Sequence, residues 1–113
     1  MAVDKSLVSG SMTVLLLKLL EDKDRYGYEM IEQLAEQSQN VFELKAGTLY
    51  PLLHGLEEKG FVTSYEKEVG GKQRKYYHLT KEGHKSLSKK KEEWQRYAGA
   101  VNRVLGGVVY AGI

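Results

Sequence analysis

The chain has 113 residues, 42% of them hydrophobic and 28% charged, with one proline and no cysteine. This describes a single ordered domain with a modest core, and it excludes a disulfide framework, a thiolate zinc site and a cysteine nucleophile. The formal net charge of +2 hides a polarity: residues 1–60 carry 6 Lys/Arg against 10 Asp/Glu, whereas residues 61–113 carry 11 against 5.

Within the basic part, residues 72–91 hold eight Lys/Arg and a single acidic residue, Glu82. Such a run is either a patch that concentrates a polyanion or a solvated lysine surface. The N-terminus lacks a basic-then-apolar leader pattern, and the longest apolar run, Val14–Leu17, is far below spanning length. No membrane partner and a cytoplasmic location are expected.

In chain order, residues 1–10 read as an arm and residues 11–21 as a first helix. Met12, Leu15, Leu16 and Leu19 form one face, and Val14, Leu17 and Leu20 cover much of the rest. A helix apolar nearly all round must be covered on two sides, by the C-terminal helix or by another subunit. Residues 22–25 are a polar turn. A second helix over 26–38 is expected to bury Tyr28, Ile31, Leu34 and Ala35 and to expose Glu29, Glu32 and Glu36. Phe42 and Leu44 of the link that follows can plug the core.

The stretch Leu44–Phe61 carries a third helix with Leu49, Leu52, Leu53 and Leu56 on its apolar face and Gly60 as its stop. Thr48, Tyr50, Pro51, His54 and Gly55 project elsewhere. Pro51 is free of cost if the helix starts near Thr48; an earlier start sacrifices one backbone hydrogen bond. From Phe61 the period becomes two. Residues 61–69 and 72–79, separated by Gly70-Gly71, form a β-ribbon with Tyr77 and Leu79 inward and Arg74, Tyr76 and His78 outward.

Thr80 caps a last helix running to about Leu105, with Glu82 and Gly83 in its first turn. Its first half is charged apart from Leu87. Beyond it, Trp94, Tyr97, Ala98, Val101, Val104 and Leu105 recur at steps of three and four, the pattern of a pairing seam. Two readings stand: a dimer seam, or a helix folded back on its own domain. No structure is assigned to 106–113.

Three helices and a two-stranded ribbon are the order of a winged helix-turn-helix, mainly α with a small β-ribbon (α+β). The expected division is a DNA-binding unit over 1–80, a dimerisation helix over 81–105 and a tail over 106–113. Four separated segments then match one family in order and spacing: Tyr26-Gly-Tyr-Glu, Gly47-Thr-Leu-Tyr-Pro-Leu-Leu-His, Leu56-Glu-Glu-Lys-Gly and Gly70-Gly-Lys-Gln-Arg-Lys-Tyr-Tyr-His-Leu-Thr. Over about residues 7–105 the chain resembles the PadR family of bacterial transcriptional regulators.

The resemblance implies a homodimeric winged-helix repressor of a double-stranded DNA operator, paired through its C-terminal helix. The short single last helix is similar to a small-protein subgroup with a lactococcal multidrug-responsive repressor among its members. There, a tryptophan at the place of Trp94 stacks on planar drugs at the dimer interface. By that likeness Trp94, Tyr97, Ala98, Met12 and Thr13 are candidates for a small aromatic or drug-like effector, and Trp94, Ala98, Val101 and Leu105 for dimerisation. Gly55 stands where the family often has a basic residue. Neutral contacts from Thr48, Tyr50 and His54, with Lys45 beside them, would therefore read DNA, while Lys72, Gln73, Arg74 and Lys75 hold the backbone. The alternative for Tyr50 is packing on the ribbon.

No enzyme, metal or cofactor is expected. His54, His78 and His84 have no i, i+4 ligand spacing, and Gly70-Gly71 precedes a strand rather than a helix, so it is a turn and not a phosphate cradle. The rival from another class is a winged-helix protein-interaction module without an effector.

Overall fold

The computed structural model describes residues 5–106. Four helices and a three-stranded antiparallel sheet follow one another as α1 (Lys5–Leu19), β1 (Arg25–Tyr26), α2 (Gly27–Gln37), α3 (Ala46–Glu58), β2 (Val62–Val69), β3 (Lys72–Leu79) and α4 (Lys81–Leu105). The sheet order is β1-β3-β2, so β3 is central. The expected α+β winged helix is observed. Apart from Gly106, the expected tail lies outside the described residues, as do residues 1–4 of the arm.

Helix α1 starts before Ser11, taking in residues expected as an arm, and ends at Leu19 rather than Glu21. It closes through tight i→i−3 bonds from Leu20 and Glu21 to Leu17 and Lys18. Met12, Leu16, Leu17, Leu19 and Leu20 are buried, Thr13, Val14 and Leu15 half-buried. Helix α4 packs beside α1 and supplies part of the cover its apolar surface requires.

Helix α2 corrects the expected burial. Its buried residues are Gly27, Met30 and Leu34, spaced three and four apart, which puts Tyr28 on another side at 61% exposure. Ile31 and Ala35 flank the stripe, half-buried. The helix ends in two left-handed residues, Gln39 and Asn40, and Phe42 and Leu44 then pack on the core as expected.

Helix α3 begins at Ala46, so Pro51 lies inside it. The earlier start is the one realised, at the cost of the bond Pro51 would have donated to Gly47. Leu49, Leu53 and Leu56 are buried. Gly60, at φ +80°, closes the helix: its N–H donates to Glu57 at 3.0 Å and the Phe61 N–H to Leu56 at 3.0 Å, a Schellman arrangement.

The ribbon starts at Val62, one residue later than expected, and otherwise keeps the expected limits; Gly70 and Gly71 both take positive φ, as its two-residue turn requires. Val62 pairs with Leu79 and Ser64 with Tyr77; Val62, Tyr77 and Leu79 are buried. Thr80 Oγ1 accepts from the Gly83 N–H at 3.0 Å and donates to the Gly60 carbonyl at 2.7 Å, tying the start of α4 to the end of α3. A Cβ on Gly83 would collide with the Phe61 carbonyl oxygen, so only glycine fits this junction.

Candidate nucleic-acid interface

The exposed side of α3 presents Gly47, Thr48, Pro51, His54 and Glu58, with Lys45 exposed at its N-cap. No acidic residue lies in its first turn, so Lys45 adds to the positive end of the helix. The rest of that side is close to neutral. Tyr50 is half-buried, and its ring lies across Gly27 so closely that a Cβ there would meet the phenol. It packs on the start of α2, and of the residues expected to read DNA from α3, Thr48 and His54 are exposed.

The ribbon projects as a wing with two unlike faces. Lys67, Lys72, Arg74, Tyr65 and Tyr76 lie on the outer face, and Glu66, Glu68, Gln73 and Lys75 on the other, by strand alternation and the observed register. Among the described residues, Lys67, Lys72, Arg74 and Lys75 form no salt bridge with any carboxylate. Lys72 and Arg74 have no acidic residue opposite them in the register, whereas Lys75 stands opposite Glu66 and the charge of Lys67 helps to lower the Asp24 carboxyl. Three of them rest on aromatic rings instead: Arg74 on Tyr26 at 4.4 Å, Lys67 on Tyr76 at 5.5 Å and Lys75 on Tyr77 at 5.7 Å.

Below these cations, three tyrosines form a row across all three strands. Tyr65 stacks on Tyr76 at 5.7 Å and Tyr26 meets Tyr76 edge-on at 5.4 Å. Asp24, in the loop before β1, closes the row: it accepts from Tyr65 Oη at 2.6 Å and meets His78 Nδ1 at 2.8 Å. Burial works to raise the Asp24 carboxyl, but the bonds from Tyr65 and His78 outweigh it and hold it below the ordinary range. The same bond to Asp24 pushes the Tyr65 phenol up to about 12. On the inner face Tyr77 is buried, its hydroxyl without a hydrogen-bond partner among the described residues; burial, then Glu57 and Tyr50, raise it.

The far half of α4 is uncovered. Trp94 is 45% exposed, Tyr97 59%, Val104 87% and Leu105 76%, with Ala98 and Val101 half-buried. A helix folded fully back on its own domain would hide these residues, whereas Trp94, Tyr97, Val104 and Leu105 stay exposed. The Trp94 and Tyr97 rings lie 5.8 Å apart. Met12 is in the core and Thr13 half-buried. A groove of about 380 Å³ runs along α4, but Phe61, Ser86, Lys89 and their neighbours line it, not Trp94.

Residues 16–89 match the transcriptional regulator PadR-like family. The chain belongs to this family. It is 39% identical to a PadR family transcription regulator of Clostridium difficile, covering 87% of this chain and all of that one with a TM-score of 0.73. A transcriptional regulator structure from Clostridium thermocellum superposes with a TM-score of 0.81 at 32% identity, over 88% and 97% of the two chains. A transcriptional regulator of Mycobacterium tuberculosis is 31% identical over 76% of this chain and 75% of its own.

As a member of the PadR-like family, the protein is a DNA-binding transcriptional regulator and not an enzyme. No helix among the described residues is long and apolar enough to cross a membrane, and none of them cluster as metal ligands. The structure brings Lys72, Gln73, Arg74 and Lys75 together at the wing tip and sets Lys45, Thr48 and His54 along one exposed helix. Sequence reasoning missed Lys67, whose place on the outer face follows from alternation once the ribbon register is known. It also missed Asp24, whose partners are 41 and 54 residues away.

The Tyr65 shift gives a direct test of that contact. A phenol whose folded value exceeds its ordinary 10.0 contributes stability that is present below pH 10.0 and lost as pH rises through about 12. Asp24 works at the other end, losing its contribution as pH falls below its ordinary 3.8 through its lower folded value. In Asp24→Asn the Tyr65 titration, followed by its ring NMR shifts, is expected to fall back toward 10.0. A titration that stays near 12 would show that Asp24 is not its cause.

Proposed function

We propose that the protein is a homodimeric repressor that reads operator DNA with α3, holds its backbone with the wing, and pairs through the second half of α4. The carrying observation is the net positive charge of the wing, where Lys67, Lys72, Arg74 and Lys75 outnumber Glu66 and Glu68, beside an α3 with no basic residue of its own. Such a helix can select bases through hydrogen bonds and packing, but it cannot supply the phosphate attraction that dominates affinity. Lys67, Lys72, Arg74 and Lys75 supply it. Thr48 and His54, polar side chains on the exposed face of α3, select sequence, and Lys45 places charge at its start. Action on DNA places the protein in the cytoplasm.

The exposed Trp94, Tyr97, Val104 and Leu105, with half-buried Val101 among them, support pairing. Two copies joined there would bring two recognition helices to a two-fold operator, whose half-site spacing mirrors the dimer. On this reading residues 1–80 form the DNA-binding unit and 81–105 the dimerisation helix. The likeness to a drug-responsive subgroup extends the seam to an effector: Trp94 and Tyr97, an exposed aromatic pair, present flat apolar surface to a planar aromatic molecule, with Ala98 leaving room beside them. Binding there would alter the distance between the two α3 helices and release DNA.

Three measurements check these parts. In anisotropy titrations against the promoter upstream of its own gene, Lys72→Ala with Arg74→Ala should weaken binding to all sequences alike and lower the salt slope by about 2. An unchanged slope would remove the wing from the backbone contact. Val101→Glu with Leu105→Glu should convert the dimer to a folded monomer in light scattering and cut operator affinity at least tenfold; a dimer that persists would place pairing elsewhere. Trp94 is the sole tryptophan, so planar cationic aromatics should quench its fluorescence saturably and weaken operator binding over the same concentrations. Quenching without loss of DNA binding would separate the ligand from regulation.

A further inference from the structure

We propose that Asp24 is a positioning residue for DNA binding, fixing the angle of the wing against the recognition helix. The inference rests on the reading that the wing holds the DNA backbone. The ribbon is gripped at its base on both faces by carboxylates from different elements. On the inner face Ser64 Oγ donates to Glu57 Oε2 at 2.7 Å, and Glu57 belongs to the last turn of α3 itself. On the outer face the next residue, Tyr65, donates to Asp24 at 2.6 Å, and Asp24 also meets His78 at 2.8 Å.

Tyr65 is on β2 and His78 on β3, with Tyr65 opposite Tyr76 and His78 opposite Thr63. One carboxylate therefore bridges both strands diagonally on one face. Asp24 is itself held: the adjacent Arg25 is buried, and its Nε donates to the Leu19 carbonyl at the end of α1 at 2.7 Å. Arg25 also pairs with Tyr77 in the sheet. The loop that carries Asp24 is thus pinned to α1 on one side and to β3 on the other.

Beyond this grip the pairs Glu66–Lys75, Lys67–Arg74, Glu68–Gln73 and Val69–Lys72 continue to the turn. Among the described residues no hydrogen bond or salt bridge of their side chains ties them to a helix; Arg74 over the Tyr26 ring is the contact that remains. At about 3.4 Å per residue the free length is roughly 15 Å, so a tilt of about 10° at the base carries the tip about 3 Å. That is the whole length of a phosphate hydrogen bond. The base contact decides whether α3 and the wing cations reach DNA at the same time.

Asp24→Ala removes both outer bonds, and Tyr65→Phe removes one while keeping the ring stack and the charge. Operator titrations at fixed salt separate positioning from simple charge. Removing a carboxylate near DNA favours binding by electrostatics alone, whereas a loosened wing weakens it. The expected result is about tenfold weaker binding for Asp24→Ala and about threefold for Tyr65→Phe, with both variants folded and dimeric at the assay temperature although the lost bonds lower the thermal midpoint somewhat. In the Lys72→Ala/Arg74→Ala background, Asp24→Ala should add a smaller loss than it causes alone, because two of the four cations through which it acts are already gone. Unchanged or tighter binding of Asp24→Ala and Tyr65→Phe, or a loss that simply adds to that of the wing variant, would overturn the inference while leaving the wing reading intact. A Lys72→Ala/Arg74→Ala variant that binds normally would overturn both.

Discussion

A slip of one residue in the pairing of β3 would turn the wing inside out. Tyr77 and Leu79 would leave the core, and Arg74, Tyr76 and His78 would enter it, because the side-chain period of a strand is two. The register is held from both sides: Val62 and Ser64 of β2 face Leu79 and Tyr77, while Arg25 and Tyr26 of β1 face Tyr77 and Tyr76. The left-handed Gly70-Gly71 turn fixes it at the tip. One strand thus closes the core with one set of residues and aims the outer-face cations with the alternate set, so neither can be rearranged alone.

That constraint explains the division of charge. The inner alternation at the tip carries Glu66 and Glu68 with Lys75, whereas the outer carries Lys67, Lys72 and Arg74, with Asp24 at its base acting on Lys67. Exposed cation–aromatic contacts are worth about 0.5–1 kcal/mol, too little to hold the cations back from phosphates. They orient the heads without neutralising them. Among the described residues, the acidic residues of the first 60 sit on α2 and the loops, with Glu32 and Glu36 exposed on that helix, and at the far end of α3, where Glu57 and Glu58 form its last turn. Against a polyanion such a distribution favours approach by the wing.

The ribbon, the glycine stop after α3 and the Thr80 cap were legible because each is a local rule: alternation, a left-handed residue, a hydroxyl three residues before an N–H. The stretch Arg25–Tyr26 was not. Two residues cannot display a period, and Arg25 in a run of charges gives no sign that its guanidinium is buried against a helix end. Tyr28 was misplaced for a related reason: with apolar residues at 28, 30, 31, 34 and 35, two helical faces compete, and packing of Met30 and Gly27 decides between them. Tyr50 lay beyond local reasoning too, since its place over Gly27 depends on how α3 crosses α2. Asp24 reads as one more polar turn residue until the sheet brings Tyr65 and His78 to it.

The seam proposed on α4 can be weighed by magnitude. Burying an exposed valine or leucine gains about 1.5–3 kcal/mol, so Val104 and Leu105 on two copies give roughly 6–12 kcal/mol. Association costs about 4–15 kcal/mol in lost freedom. The end of the helix alone therefore does not settle the pairing. In the proposed dimer the exposed aromatics Trp94 and Tyr97 would carry the difference, through the area they hide and the neighbours that fill the space around them. A seam balanced in this way would be sensitive to a flat molecule beside Trp94. It would respond not because the ligand is large, but because the aromatic pair would supply the margin by which two copies hold their recognition helices at one distance.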